Sequence, residues 1–221
     1  MANQLDLEEQ EQLDEIKHFW KQYGNAITWV LIVALSSFAA WNGYQQWNRS
    51  QAGQAAGMYD EVERVVATGD VAMAERAFGD MKERFARTVY AQQAGLLLAK
   101  LAVDKAKPEV AKSVLTWVAE KSTDEGYAAI AKLRLAGILI DEKAFEAALK
   151  ILDAVPPSQF VALFADRKGD VYVIQNKPAE ARSEYLKAYA AFDERSEYRR
   201  LVEIKLNAMG GHVPSDQEGK K

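Results

Sequence analysis

Between Lys21 and Arg49 the chain carries no Asp, Glu, Lys, Arg or His, and the nineteen residues from Ala26 to Tyr44 are mostly apolar. A helix needs about 20 such residues to cross a hydrocarbon core roughly 30 Å thick, so this stretch predicts a single membrane-spanning helix. After Arg49 the pattern changes. Apolar residues recur three and four apart with no run of strict alternation, which predicts short amphipathic helices and no strands. Turn signals divide this region at Thr68-Gly69-Asp70, Lys107-Pro108, Ser122 to Gly126, Asp141 to Lys143, Pro156-Pro157 and Asn176-Lys177-Pro178. The intervening helices are expected to run about twelve to eighteen residues. A last helix, "SEYRRLVEIKLNAM", offers Tyr198, Leu201, Val202, Ile204 and Leu206 for packing, with Arg199, Arg200, Glu203 and Lys205 for a water-facing side. From Gly210 onward "GGHVPSDQEGKK" has too little apolar surface to order itself.

Aromatic residues bound the apolar stretch on both sides: Trp20, Tyr23 and Trp29 before its centre, Trp41, Tyr44 and Trp47 after it. Amphipathic rings settle at headgroup depth, so these six are the expected membrane-anchor residues. A core helix has no reason to carry such girdles. Ser37-Phe38-Ala39 imitates a signal-peptide cleavage site, but the region before the stretch is long and acidic, and the apolar run continues past the supposed cut. An uncleaved signal anchor is expected. Lys17 and Lys21 on one side and Arg49 on the other scarcely decide its direction; an amino end inside, with the following domain outside, is permitted but not demanded. Upstream, Leu13, Ile16, Trp20 and Tyr23 recur at helical spacing and suggest an interfacial lead-in helix, with a partner-binding helix as the sharper alternative.

The helical region repeats. A small residue, an apolar one three later, Ala twelve later, a large apolar one sixteen later and a small or apolar one nineteen later fit Gly169, Tyr172, Ala181, Tyr185 and Ala188. The same template fits Ala136, Leu139, Ala148, Leu152 and Val155, then Ala99, Ala102, Ala111, Leu115 and Val118. A degraded version fits Val62, Val65, Ala74, Phe78 and Met81. Small side chains let antiparallel helices approach closely, and large ones fill the next groove. "GDVYVIQNKPAEARSEYLKAYAAF" resembles the tetratricopeptide repeat most closely, and the other units more loosely. The fold expected is therefore all-α: a transmembrane helix followed by a tetratricopeptide-like α-hairpin solenoid with a C-terminal capping helix.

Charge and chemistry narrow the functions. The net charge of −4 sits in residues 1–21, where six acids oppose Lys17 and Lys21; the rest balances, so the repeat region lacks the basic excess that nucleic acid binding requires. With no cysteine and only His18 and His212, thiolate catalysis, imidazole-based catalysis and the common metal sites have no residues to use. No catalytic residue, metal ligand or cofactor is expected. A repeat array offers instead an extended concave surface lined mainly by the first helix of each pair. Counting from the anchors, the partner-binding candidates are Gln93, Leu96, Lys100 and Val103, then Leu133, Gly137 and Ile140, then Leu163, Asp166, Asp170 and Val173. Each reads equally well as ordinary interhelical packing.

The acidic head, the aromatic-bounded "IKHFWKQYGNAITWVLIVALSSFAAWNGYQQWN", the small-residue stretch "SQAGQAAGMY" and an array ending near "KLNAM" together resemble the YfgM-like family of ancillary SecYEG translocon subunits. The resemblance covers nearly the whole chain. It implies a single-pass bacterial inner-membrane protein with its amino end cytoplasmic and its repeat domain periplasmic. It also implies association with the SecYEG translocon, with periplasmic chaperones such as the membrane-anchored PpiD, and with exported client proteins, and no enzymatic activity. The expected division is a head over residues 1–24, the membrane segment over 25–47, the repeat domain over 48–209 and a disordered tail over 210–221. A scaffold for cell-envelope assembly unrelated to the translocon is the alternative that the residues leave open.

Overall fold

The computed structural model describes the backbone of residues 7–210 and the side chains of residues 12–210. Residues 1–6 of the expected head, and the expected tail beyond Gly210, lie outside the described residues. Every described element is helical: α1 (Leu7–Thr68), α2 (Val71–Phe85), α3 (Val89–Asp104), α4 (Pro108–Lys121), α5 (Glu125–Asp141), α6 (Phe145–Leu152), a 3-10 turn (Ser158–Phe160), α7 (Val161–Ile174), α8 (Pro178–Ala191) and α9 (Glu197–Ala208). Packing separates the chain into two units that divide between Gln51 and Ala52.

In the first unit α1 carries the apolar stretch. Its most apolar eighteen-residue window has a mean hydropathy of 1.5 and is only 6% buried, which excludes a core helix. This helix is long and apolar enough to cross a membrane. Trp20, Tyr23, Trp29, Trp41, Tyr44 and Trp47 are all exposed. At 1.5 Å per residue, Tyr23 and Tyr44 are about 32 Å apart along the axis, close to the thickness of a hydrocarbon core. Two hydroxyls inside the stretch turn back onto the helix: Thr28 Oγ1 donates to the Gly24 carbonyl at 2.7 Å and Ser37 Oγ to the Val33 carbonyl at 2.8 Å. Neither is left facing an apolar solvent without a partner.

The second unit is a stack of helical pairs. Each pair consists of a first helix (the end of α1, then α3, α5 and α7) and a second helix (α2, α4, α6 and α8), with α9 following. From α2 onward helices pack on their sequence neighbours, and first helices also touch, α3 with α5 and α5 with α7. The repeat is written in the backbone. Every turn within a pair contains one residue in the left-handed region: Gly69 (φ 78°), Ala106 (φ 54°), Lys143 (φ 62°) and Asn176 (φ 57°). These lie 37, 37 and 33 residues apart, the spacing of the small-residue anchors. Three of the turns close with the same bond, from the amide of Lys107, Ala144 or Lys177 to the carbonyl five residues earlier, Ala102, Leu139 or Tyr172. That six-to-one bond and the left-handed residue together make a helix-ending Schellman motif.

Helix starts follow local chemistry. Asp70 caps α2 by accepting from the Met73 amide, Thr88 caps α3 through the Ala91 amide, and Asp124 caps α5 through Gly126 and Tyr127. Pro108 and Pro178 occupy the first turns of α4 and α8, where a missing N–H costs nothing. The template residues form the core: Ala74, Ala111, Ala148 and Ala181 are all 0% exposed, and Phe78, Leu115, Leu152 and Tyr185, four residues on, are buried beside them.

Expectations fail at two places, around α6 and at α9; α6 itself runs eight residues, short of the twelve expected. Val155, assigned to the buried end of its unit, is 94% exposed. Pro156 forces its predecessor toward extended backbone, so α6 stops at Leu152 after eight residues and Val155 falls in the following loop. The second failure concerns α9, whose outward and inward sides are partly exchanged. Val202 and Leu206 are 1% exposed, whereas Tyr198, Leu201 and Ile204, expected to pack, are exposed. Residues 202 and 206 share one face of the helix; 201 and 204 lie roughly opposite. Meanwhile Lys205 turns inward to carboxylates on α7, and the Arg199 guanidinium lies 4.2 Å from the centre of the Tyr189 ring.

Candidate functional site on the first-helix face

The period of the array places α3 and α5 side by side, and a cavity of about 380 Å³ opens between them. Its lining comes from Ala99, Lys100, Val103 and Asp104 on α3, Leu115 from α4, and Arg134, Gly137, Ile138 and Asp141 on α5. The floor is apolar because Ala99 and Leu115 are template residues, 1% exposed each. Gly137 keeps it open: a Cβ at that position would meet nothing within 4 Å. The rim is charged and internally balanced. Lys100 Nζ pairs with Asp104 Oδ2 at 2.7 Å, and Arg134 Nη1 donates to the Leu96 carbonyl at 3.1 Å, leaving Asp141 at the other wall.

Such a cleft suits an apolar side chain presented by a polypeptide, with charged groups on either side to orient its backbone or flanking residues. Among the described residues no three His, Asp or Glu side chains are grouped to hold a metal.

Of the eleven expected partner-binding residues, Lys100, Val103 and Gly137 meet at this cavity. Leu96 is 8% exposed and belongs to the core. Gln93 donates through Nε2 to the Tyr127 hydroxyl at 2.6 Å, bridging α3 and α5 near their amino ends. Leu133 and Ile140 pack against the cluster formed by Ala136, Leu152, Phe164 and Val171. Leu163 is half-buried and Val173 exposed on α7.

Asp166 and Asp170 are committed elsewhere. Lys205 Nζ on α9 donates to Asp166 Oδ1 and to Asp170 Oδ1, both at 2.7 Å, and sits 5.2 Å from the centre of the Tyr185 ring. The Tyr185 hydroxyl also donates to Asp170 Oδ1, at 2.8 Å. Burial pushes the Asp166 carboxyl above its usual range, opposed by the hydrogen bond from Lys205. Burial, and then its bond to Asp170, push the Tyr185 phenol far up, so it stays a donor at any ordinary pH. This network fastens α9 to the last pair.

Arg134 and Asp141 escaped the sequence reading, although a signal existed. They lie three before and four after Gly137, which places them on its face of the helix. Lys205 had no such signal, because its carboxylates are 35 and 39 residues away.

A second cavity, of about 350 Å³, lies between the second helices α2 and α4, beside the edge-to-face pair Phe78 and Trp117, whose centroids are 5.4 Å apart. Glu75, Lys82 and Glu120 stand around it. Lys82 lies over the Phe78 ring, so the aromatic surface there already has a cationic partner.

Comparison with known proteins agrees with the helical stack. The model of the tetratricopeptide repeat-like domain matches residues 17–211. A protein of Neisseria gonorrhoeae named ancillary SecYEG translocon subunit is 31% identical over 92% of this chain and 98% of its own length. Proteins of the same name from Escherichia coli and Haemophilus influenzae are each 26% identical, over 90% and 91% of this chain and 95% and 97% of theirs.

Proposed function

The chain belongs to the ancillary SecYEG translocon subunits and to the tetratricopeptide repeat-like domain family, and on that premise we propose a membrane-anchored, non-enzymatic adaptor of protein secretion. In this reading α1 holds the protein in the bacterial inner membrane with its amino end cytoplasmic. The array stands in the periplasm and contacts the SecYEG translocon, PpiD-like chaperones and emerging exported chains. Anchoring explains how shallow clefts suffice. A tethered surface meets its partners at high effective concentration, so individual contacts need not be tight.

The observation that carries this reading is the open cleft between α3 and α5, with its apolar floor, charged rim and vacant position above Gly137. Lys100, Val103 and Gly137 are its proposed contact residues, joined by Arg134, Ile138 and Asp141. The remaining expected residues are proposed as flanking contacts, except for Leu96, which is buried in the core, and Asp166 and Asp170, whose carboxylates serve the α9 attachment.

A photo-crosslinking amino acid at Val103 in intact cells tests it. Adducts with a translocon subunit or a periplasmic chaperone are expected, and Gly137→Phe, which fills the cleft, should lower them about tenfold while membrane retention in carbonate stays unchanged and thermal melting does not fall. Adducts only with envelope-assembly proteins, or adducts indifferent to Gly137→Phe, would overturn the reading. Reporter fusions at each end decide the orientation.

A further inference from the structure

Trp117 is the one tryptophan beyond Trp47, and the repeat does not require it. Shifted by the spacing of the anchors, its position falls on Asp80 in α2, Ala154 after α6 and Lys187 in α8. Asp80 and Lys187 are exposed and Ala154 is half-buried, so the other units treat this position as surface. A large ring where the fold needs none is the kind of residue that carries binding energy. Trp117 stands half-buried at the 350 Å³ cavity between α2 and α4. Gly79 leaves room beside it, since a Cβ there would meet nothing within 4 Å.

The charges around the ring choose what fills that room. Glu75 and Glu120 are exposed at the cavity, and among the described residues neither has a hydrogen-bond or ion-pair partner. Lys82, the cavity's own cation, lies 5.9 Å from the centre of the Phe78 ring and reaches neither carboxylate. Its place shows that the cavity accepts a cation, and it covers only one of the two rings: among the described residues no cation stands over Trp117. An acidic side chain would be repelled by both glutamates, and an apolar one would leave their charges unanswered. A guanidinium answers ring and carboxylate together, because its plane stacks on an indole while its N–H fork points at a carboxylate.

We propose that the cavity between α2 and α4 is a docking site for an arginine-bearing polypeptide segment, with the guanidinium on Trp117 and its hydrogen bonds accepted by Glu75 or Glu120. The site lies on the second-helix layer and shares no residue with the cleft between α3 and α5. One array can therefore hold two segments at once, which goes beyond the adaptor reading.

Fluorescein-labelled short peptides of alanine and serine, each with one leucine beside arginine, lysine or citrulline, test the site by anisotropy against the full-length protein in detergent, with empty micelles as the blank. The arginine peptide is expected to bind about tenfold more tightly than the uncharged citrulline peptide, with lysine between them and affinity falling as salt rises. Glu75→Gln combined with Glu120→Gln, which alters no packing contact, should weaken the arginine peptide about tenfold with unchanged thermal melting, and Trp117→Leu should weaken it similarly. Gly137→Phe should leave it unchanged. Absence of saturable binding by the arginine peptide, equal binding of citrulline or lysine, survival of the paired glutamate change, or loss with Gly137→Phe would each overturn the proposal. None of these outcomes bears on adducts at Val103, so this site and the adaptor function fail separately.

Discussion

Tyr185 lies flat against the backbone of Gly169: a Cβ at position 169 would stand 2.5 Å from Tyr185 Cδ1 and 2.9 Å from Cζ. No real Cβ sits that close to a ring, and the ring has no room to retreat. Its hydroxyl is held by Asp170, and Lys205 stands over its face. Gly169→Ala is therefore expected to destabilise the domain by about 1–3 kcal/mol through overpacking, although alanine is the better helix former by ~1 kcal/mol. Urea unfolding of the full chain in detergent, followed by circular dichroism, measures it.

Glycines elsewhere in the array behave differently, because the space above each one differs. At Gly95 a Cβ would come 2.7 Å from Val118 Cγ2 and 3.2 Å from Phe78 Cζ, whereas at Gly137 it would meet nothing. Gly95→Ala should cost about 1–3 kcal/mol through overpacking. Gly137→Ala should add about 0.5–1 kcal/mol by removing backbone freedom from the unfolded chain. Opposite shifts in melting temperature for the two variants are the expected outcome.

Ala106 sits at φ 54°, a conformation that costs a residue with a Cβ roughly 1–2 kcal/mol. Ala106→Gly should stabilise the array by about 0.5–1 kcal/mol once the greater freedom of glycine in the unfolded chain is subtracted. The same change at Asn176 should do less, since asparagine tolerates the left-handed region. Denaturant midpoints of the two variants provide the comparison.

The attachment of α9 should respond to acid through Asp166. Burial raises its folded pKa above the unfolded value, and Lys205 only partly opposes this. A carboxyl raised in this way contributes stability that is fully present below its unfolded pKa and is lost as pH rises through the folded one. The stability of the parent chain relative to Asp166→Asn should therefore increase as pH falls from neutrality through the carboxylate range. Paired urea titrations between pH 7 and pH 4 measure the trend, and a difference independent of pH would contradict it.

The sequence by itself determined the helical class, the membrane-length apolar stretch and the repeat, because these rest on local periods and turn chemistry. The spacing of Val62, Ala99, Ala136 and Gly169 returns in the left-handed turn residues seven positions later. Pro108, Pro178, Asp70 and Asp124 act within one turn of where they stand. The cleft was half legible: Lys100, Val103 and Gly137 follow from the period, and Arg134 and Asp141 from their place on Gly137's face. Only the tertiary structure decided which side of α9 faces water. Its amphipathic pattern permits more than one rotation. The choice fell to Asp166 and Asp170, which draw Lys205 inward from far along the chain, and to a bed on α8 that accepts Val202 and Leu206 and leaves Leu201 and Ile204 outside. Local pattern ranks the faces a helix can bury, but the shape and charge of the surface it meets choose among them.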